Sequence, residues 1–75
     1  MEQYKSTFCE MFHLDENFNP ETIIRNEVDD WDSVGHISLI TQLEEAYDIL
    51  FETEDILEFT SYNKGIEILK KYGVV

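Results

Sequence analysis

Asp32-Ser33-Val34-Gly35-His36-Ile37-Ser38-Leu39-Ile40-Thr41-Gln42-Leu43-Glu44-Glu45-Ala46-Tyr47 is the stretch that decides how this chain folds. Val34, Ile37, Ile40, Leu43 and Tyr47 recur at spacings of three and four, which predicts one apolar stripe on an α-helix. Leu39 lies off the centre of that stripe and is expected to help line a cleft. The helix should run from Ser33 to Tyr47 or Asp48. Ser33 stands where unpaired backbone N–H groups and the positive end of the helix dipole favour an anion. The plainest role for a serine there is an N-cap, whose removal should cost about 1 kcal/mol.

Working outward, the chain reads as an all-α protein, a small four-helix bundle. Tyr4, Phe8, Met11 and Phe12 share one face of a first helix from Glu2 to His13. A long irregular loop should follow, from Leu14 to Asp32, with a helical turn at Pro20-Glu21-Thr22 and pins at Phe18, Ile23, Val28 and Trp31. Thr53 is expected to cap a short third helix, with Glu54 and Asp55 at its positive end and contacts from Ile56, Leu57 and Phe59. Thr60 or Ser61 should cap a last helix carrying Tyr62, Ile66 and Leu69, with Lys70 and Lys71 at its negative end and Gly73 at the exit. The expected core is Phe8, Phe12, Ile37, Ile40, Leu43, Phe59, Ile66 and Leu69. No repeat, low-complexity tract or alternating strand pattern competes with this reading.

Composition narrows the function. Seventy-five residues, 43% of them hydrophobic, suit a single domain, 1–75, with a modest core and no room for a catalytic domain beside it. The net charge is −12, and eleven acidic residues lie between Asn26 and Asn63 without a lysine or arginine among them. The bases are Lys5, Arg25, Lys64, Lys70 and Lys71. Such a surface repels nucleic acid, steers basic proteins towards itself, and also keeps a small protein in solution. No apolar run is long enough to span a membrane, no secretory signal pattern is present, and the lone Cys9 cannot form an internal disulfide. These features predict a cytoplasmic monomer.

Each candidate site has a plain alternative. Asp30, Asp32 and Gly35 fit positions one, three and six of a calcium loop, but Val34 and Thr41 fail at five and twelve, so no metal site is expected. His36, three residues after Ser33, is expected to be an exposed neighbour rather than a general base, since no nucleophile-elbow motif surrounds the serine. His13 and Cys9 show no metal-ligand spacing with each other or with His36. His13 is expected at a helix end, and Cys9 on or beside the buried face. Trp31 could cover the bundle end or flank a ligand. Gly35 is costly within a helix but tolerable in its first turn.

Asp32-Ser33-Val34 at the start of the second helix resembles the Asp-Ser-Leu of acyl carrier proteins and their relatives, with Val34 in place of the leucine. Leu43-Glu44-Glu45-Ala46-Tyr47 is similar to the family's Leu-Glu-Glu-x-Phe. The likeness continues through Thr53 to Lys71, while the first helix matches in pattern only.

The resemblance implies a bundle of acyl-carrier type, with a long loop between helices 1 and 2, a short helix 3, and an interior soft enough to admit an acyl chain. It implies a discrete carrier, not an enzyme, that holds acyl or aminoacyl groups as thioesters on 4′-phosphopantetheine attached to Ser33. Asp32, Val34 and Gly35 would flank that group. Neighbours in the family often carry Gly-His at this place, which implies that Gly35 clears space for the arm or for an enzyme. Val34, Glu44 and Glu45, together with Asp32, would be read by partners. Those partners would be a phosphopantetheinyl transferase using magnesium and coenzyme A, an acyl- or aminoacyl-loading ligase, and a downstream acyltransferase or synthase. Gly35 and Ser38 stand where the fatty-acid type is acidic. This implies a specialised biosynthetic pathway, such as secondary metabolism, surface-polysaccharide acylation or aminoacyl transfer. The alternatives are an aminoacyl or peptidyl carrier and, from a different class, a non-carrier acidic helical adaptor. A calcium-responsive helical module is weaker still.

Overall fold

The computed structural model describes residues 2–75. Four α-helices, α1 (Glu2–Phe12), α2 (Ser33–Tyr47), α3 (Thr53–Glu58) and α4 (Tyr62–Lys71), form a small all-α bundle with no strand among the described residues. The first two match their expected bounds to within a residue, and the short third and the last helix follow in the expected order.

The first helix presents Tyr4, Phe8 and Phe12 inward, one helical turn apart, and all three are buried. They start an aromatic core. Trp31 stacks on Phe12 with ring centroids 5.3 Å apart, and Phe8 meets both Trp31 and Tyr62 edge to face. His13 ends α1 in the left-handed region.

The 13–32 segment is long but stitched down. Asn19 caps a 3-10 turn at Pro20–Thr22, its side-chain oxygen accepting the Glu21 N–H, as the proline had suggested. A second turn, Arg25–Glu27, is a feature the sequence did not announce. Ile23 and Trp31 are buried pins, while Phe18 and Val28 pack half-buried against the core. Backbone bonds then tie the loop to the α3–α4 linker: Arg25 N–H donates to Thr60 O, and Tyr62 N–H to Ile23 O, each at 2.9 Å. Ile24 and Ser61 form an isolated antiparallel bridge between them.

The buried face of α2 differs from the one its apolar spacing predicts. In α2 the buried residues are His36, Leu39, Ile40 and Leu43, whereas Ile37 is 65% exposed and Val34 75% exposed. Successive steps of three fall short of the 3.6-residue turn, so Val34-Ile37-Ile40-Leu43 walks around the helix. Nine residues make about two and a half turns, which places Val34 opposite Leu43. Ile37 therefore does not belong to the core. Leu39, assigned a cleft, is fully buried.

Helix α3 departs from the sequence expectation at three positions. Glu52, not Thr53, occupies the N-cap of α3 and makes no side-chain cap, and Leu57 points outward at 71% exposure. Asp55 is not a surface dipole partner. Its buried carboxylate accepts hydrogen bonds from Lys71 Nζ and Tyr72 Oη, and Tyr72 Oη also accepts the Glu52 N–H. Three groups thus hold the short helix to the end of α4. Ser61 caps α4 through the Lys64 N–H at 3.0 Å, and Gly73 takes φ 73° at the exit, both as expected. Ile68 and Leu69 fill the core, with Ile66 half-buried beside them. Gly65 is required where α1 meets α4, because a Cβ there would overlap Tyr4 Oη and the Phe59 ring.

Candidate functional site

The loop delivers Trp31 into the core and leaves the next residues at the surface. Asp32 adopts an extended backbone, and its Oδ1 accepts the Gly35 N–H at 2.8 Å. Its carbonyl also takes the His36 N–H at 2.8 Å. Asp32 is therefore the N-cap, and the expectation that Ser33 caps the helix is corrected. Ser33 is the first helical residue and is exposed. Its hydroxyl is left outside the cap, at the end of the helix where an added negative charge is favoured.

His36 is not the exposed neighbour the sequence suggested. It is buried, and both ring nitrogens are committed. The Trp31 indole N–H, which can only donate, donates to His36 Nδ1 at 2.9 Å. Nδ1 must then be unprotonated, so Nε2 carries the hydrogen and donates to Ile56 O at 2.8 Å. Burial, then the nearby Arg25 charge, pushes the pKa of His36 below 6.5, partly opposed by the Ile56 hydrogen bond. A neutral imidazole with no free lone pair cannot deprotonate Ser33. The Ser-His dyad is excluded by geometry. The same two bonds link the loop, α2 and α3 beneath Ser33, making Trp31 a core residue.

Gly35 has a local explanation. A Cβ there would overlap the carbonyl oxygen of Asp30, so the glycine lets the loop cross close over the first turn of α2. That packing accounts for the residue without a bound arm or enzyme.

Beside Ser33 lies a cleft of about 510 Å³ lined by Ile24, Arg25, Asn26, Trp31, Asp32, Ser33 and Thr60. Two of its walls are the loop and the α3–α4 linker, already joined by backbone hydrogen bonds. Arg25 is its one lining cation and was not singled out from sequence. Only the folded loop brings it into the same cleft as a serine eight residues away.

The expected recognition residues separate into two groups. Val34 and Ile37, one turn apart, form an exposed apolar pair on the outer face of α2. Leu57 of α3 is likewise exposed. Glu45 is exposed and borders a groove with Thr41, Asp48, Ile49 and Leu50. Glu44 lines the same groove, and its Oε2 accepts the Phe51 N–H at 2.9 Å, which also fixes the loop after α2. Among the described residues no group of three or more His, Cys, Asp and Glu side chains converges as metal ligands, and no helix is long and apolar enough to cross a membrane. No family model, curated protein or solved structure matches this chain.

Proposed function

We propose that this chain is a carrier domain of acyl-carrier type, modified on Ser33 by 4′-phosphopantetheine. The observation that carries the reading is the exposed Ser33 hydroxyl in the first position of α2, freed by the Asp32 cap and opening beside a cleft. The residues fit the group: a hydroxyl to esterify, a helix terminus favouring the added charge, and room for the arm. In the attachment step Ser33 Oγ bonds to the β-phosphorus of coenzyme A while the pyrophosphate P–O bond breaks. Adenosine 3′,5′-bisphosphate leaves, and the hydroxyl proton passes to a base of the transferase, which also holds magnesium. His36, fully hydrogen-bonded, takes no part in that transfer.

When bound, the arm supplies a terminal thiol that holds a carboxylic acid as an activated thioester and raises its effective concentration at partner active sites. This chain's own work is presentation. α2 is anchored from beneath by Trp31 and His36, Val34 and Ile37 offer an apolar contact, and Glu45 adds charge at its rim. A net charge of −12 draws basic partners: a phosphopantetheinyl transferase, an acyl- or aminoacyl-loading ligase, and a downstream acyltransferase or synthase. Gly35 and Ser38 favour a specialised cytoplasmic pathway over fatty-acid synthesis. The exposed apolar pair beside acidic side chains also suits a helical adaptor with no prosthetic group. Intact mass after incubation with a transferase, magnesium and coenzyme A separates the two, since only a carrier gains the phosphopantetheine increment.

A further inference from the structure

Arg25 stands apart from the other charges of this chain. Seventeen carboxylates surround five lysines and arginines, yet among the described residues the one ion pair is Lys71 with Asp55. Arg25 is half-buried and unpaired, and it lines the cleft that contains Ser33. The acidic residue in the same cleft, Asp32, uses a carboxylate oxygen to cap α2 through the Gly35 N–H. The backbone of Arg25 is fixed by its N–H bond to Thr60 O at 2.9 Å, so the side chain projects from a pinned turn. Its charge also acts on the buried ring of His36, which lies directly under this end of α2. An uncommitted guanidinium in so negative a protein suits an anion arriving at this cleft, and guanidinium is the side chain best shaped to take two phosphate oxygens at once.

Resting on the carrier reading of Ser33, we propose that Arg25 is the phosphodiester-binding residue of the loaded protein and that the first segment of the arm lies in the cleft between Ile24–Asn26 and Thr60. Arg25 offsets the added negative charge. Ile24, 38% exposed, offers an apolar surface to the branched carbons next to the phosphate, and Asn26 and Thr60 offer polar groups to the arm's hydroxyl and amides. Arg25 here is a positioning residue, since the chemistry of the thiol lies farther along the arm.

The test compares the unloaded and coenzyme A-loaded forms by intact mass and by nitrogen-15 and proton NMR. In the wild type, loading should shift the Arg25 Nε–H resonance and the amides of Ile24, Asn26 and Thr60, and added salt should reduce those shifts. Arg25→Gln should gain the same mass but lose at least half of the amide shifts, with Arg25→Lys restoring part of them. Loaded wild-type protein whose Arg25, Ile24 and Thr60 signals stay at their unloaded positions would overturn the inference while leaving the carrier reading intact. So would Arg25→Gln showing the full wild-type pattern. Absence of any mass increment in the wild type would instead remove the carrier reading and this inference with it. The Arg25 Nε–H measurement uses unaltered protein, so the result does not depend on a variant folding.

Discussion

Trp31 donates its indole N–H to Nδ1 of His36 at 2.9 Å, and this contact fixes the imidazole in its neutral, Nε2-protonated form. The unfolded chain takes up a proton on this histidine near pH 6.5, whereas burial lowers the pKa in the folded protein. The folded state is therefore at its full His36-dependent stability above pH 6.5. That contribution is lost as pH falls from there through the lowered folded value. Trp31, the one tryptophan, reports the event. Its fluorescence and the urea midpoint should change together below pH 6.5. In Trp31→Phe, followed by circular dichroism, an unpaired Nδ1 should cost about 1–3 kcal/mol at pH 7. An unfolding midpoint that stays flat between pH 7 and 5 would show that His36 is not held neutral.

The cap at the candidate site makes two neighbours behave differently. Asp32→Ala should lose about 1 kcal/mol, because the Gly35 N–H loses its acceptor. Ser33→Ala should change stability by less than about 0.5 kcal/mol, since Ser33 is exposed and does not cap. Urea unfolding of both variants tests this. A larger loss in Ser33→Ala than in Asp32→Ala would return the capping role to the serine.

Gly35→Ala sets helix propensity against packing. In an exposed helix the alanine would gain about 1 kcal/mol. Here its Cβ overlaps the Asp30 carbonyl, and a backbone oxygen moves only with its loop. The variant should be destabilised by about 1–3 kcal/mol in thermal melts. A stabilised Gly35→Ala would mean that the loop does not lie across α2.

Tyr47 carries a buried hydroxyl with no hydrogen-bond partner among the described residues. Removing a buried, unsatisfied polar group takes away a desolvation penalty of about 1–3 kcal/mol. Tyr47→Phe should therefore match or exceed the wild type in melting temperature. A clear loss of stability would reveal a hydrogen bond that the hydroxyl makes in solution.

The outer face of α2 gives a paired prediction. Ile40→Ala should cost about 2–5 kcal/mol, as a buried core residue does. Ile37→Ala should fall within about 0.5 kcal/mol of wild type, because its side chain already meets water. For the proposed transferase encounter, Glu45→Lys and added salt should slow association measured by stopped flow, while Val34→Asp should weaken the docked complex. If neither salt nor Glu45→Lys changes the rate, the acidity serves solubility and recognition lies elsewhere.

Much of the fold was legible because several local signals agreed. Tyr4, Phe8 and Phe12 are spaced for one helix face, Pro20 opened a turn, Ser61 capped α4, and Ile23 and Trp31 were the pins expected in the loop. The facing of α2 was not legible. Apolar residues stand on both sides of that helix, and Val34 and Ile37 look like core residues until packing leaves them outside. His36 and Arg25 were missed for a different reason. A histidine becomes buried at low cost only when both ring nitrogens find partners, and those partners, Trp31 and Ile56, are placed by the loop and α3. Arg25 comes to line the cleft that contains Ser33 through a 3-10 turn and a backbone bond to Thr60 that no periodicity announces. At the site, the sequence pointed to Ser33, but whether Ser33 or Asp32 would cap could be decided only by the backbone.

Whether Ser33 carries 4′-phosphopantetheine is decided by intact mass spectrometry after incubation with coenzyme A, magnesium and a phosphopantetheinyl transferase. The wild type should gain one phosphopantetheine increment, retained in Ser38→Ala and Ser61→Ala and abolished in a folded Ser33→Ala. An unmodified wild type with a range of such transferases, or an increment that survives in Ser33→Ala, would contradict attachment at Ser33.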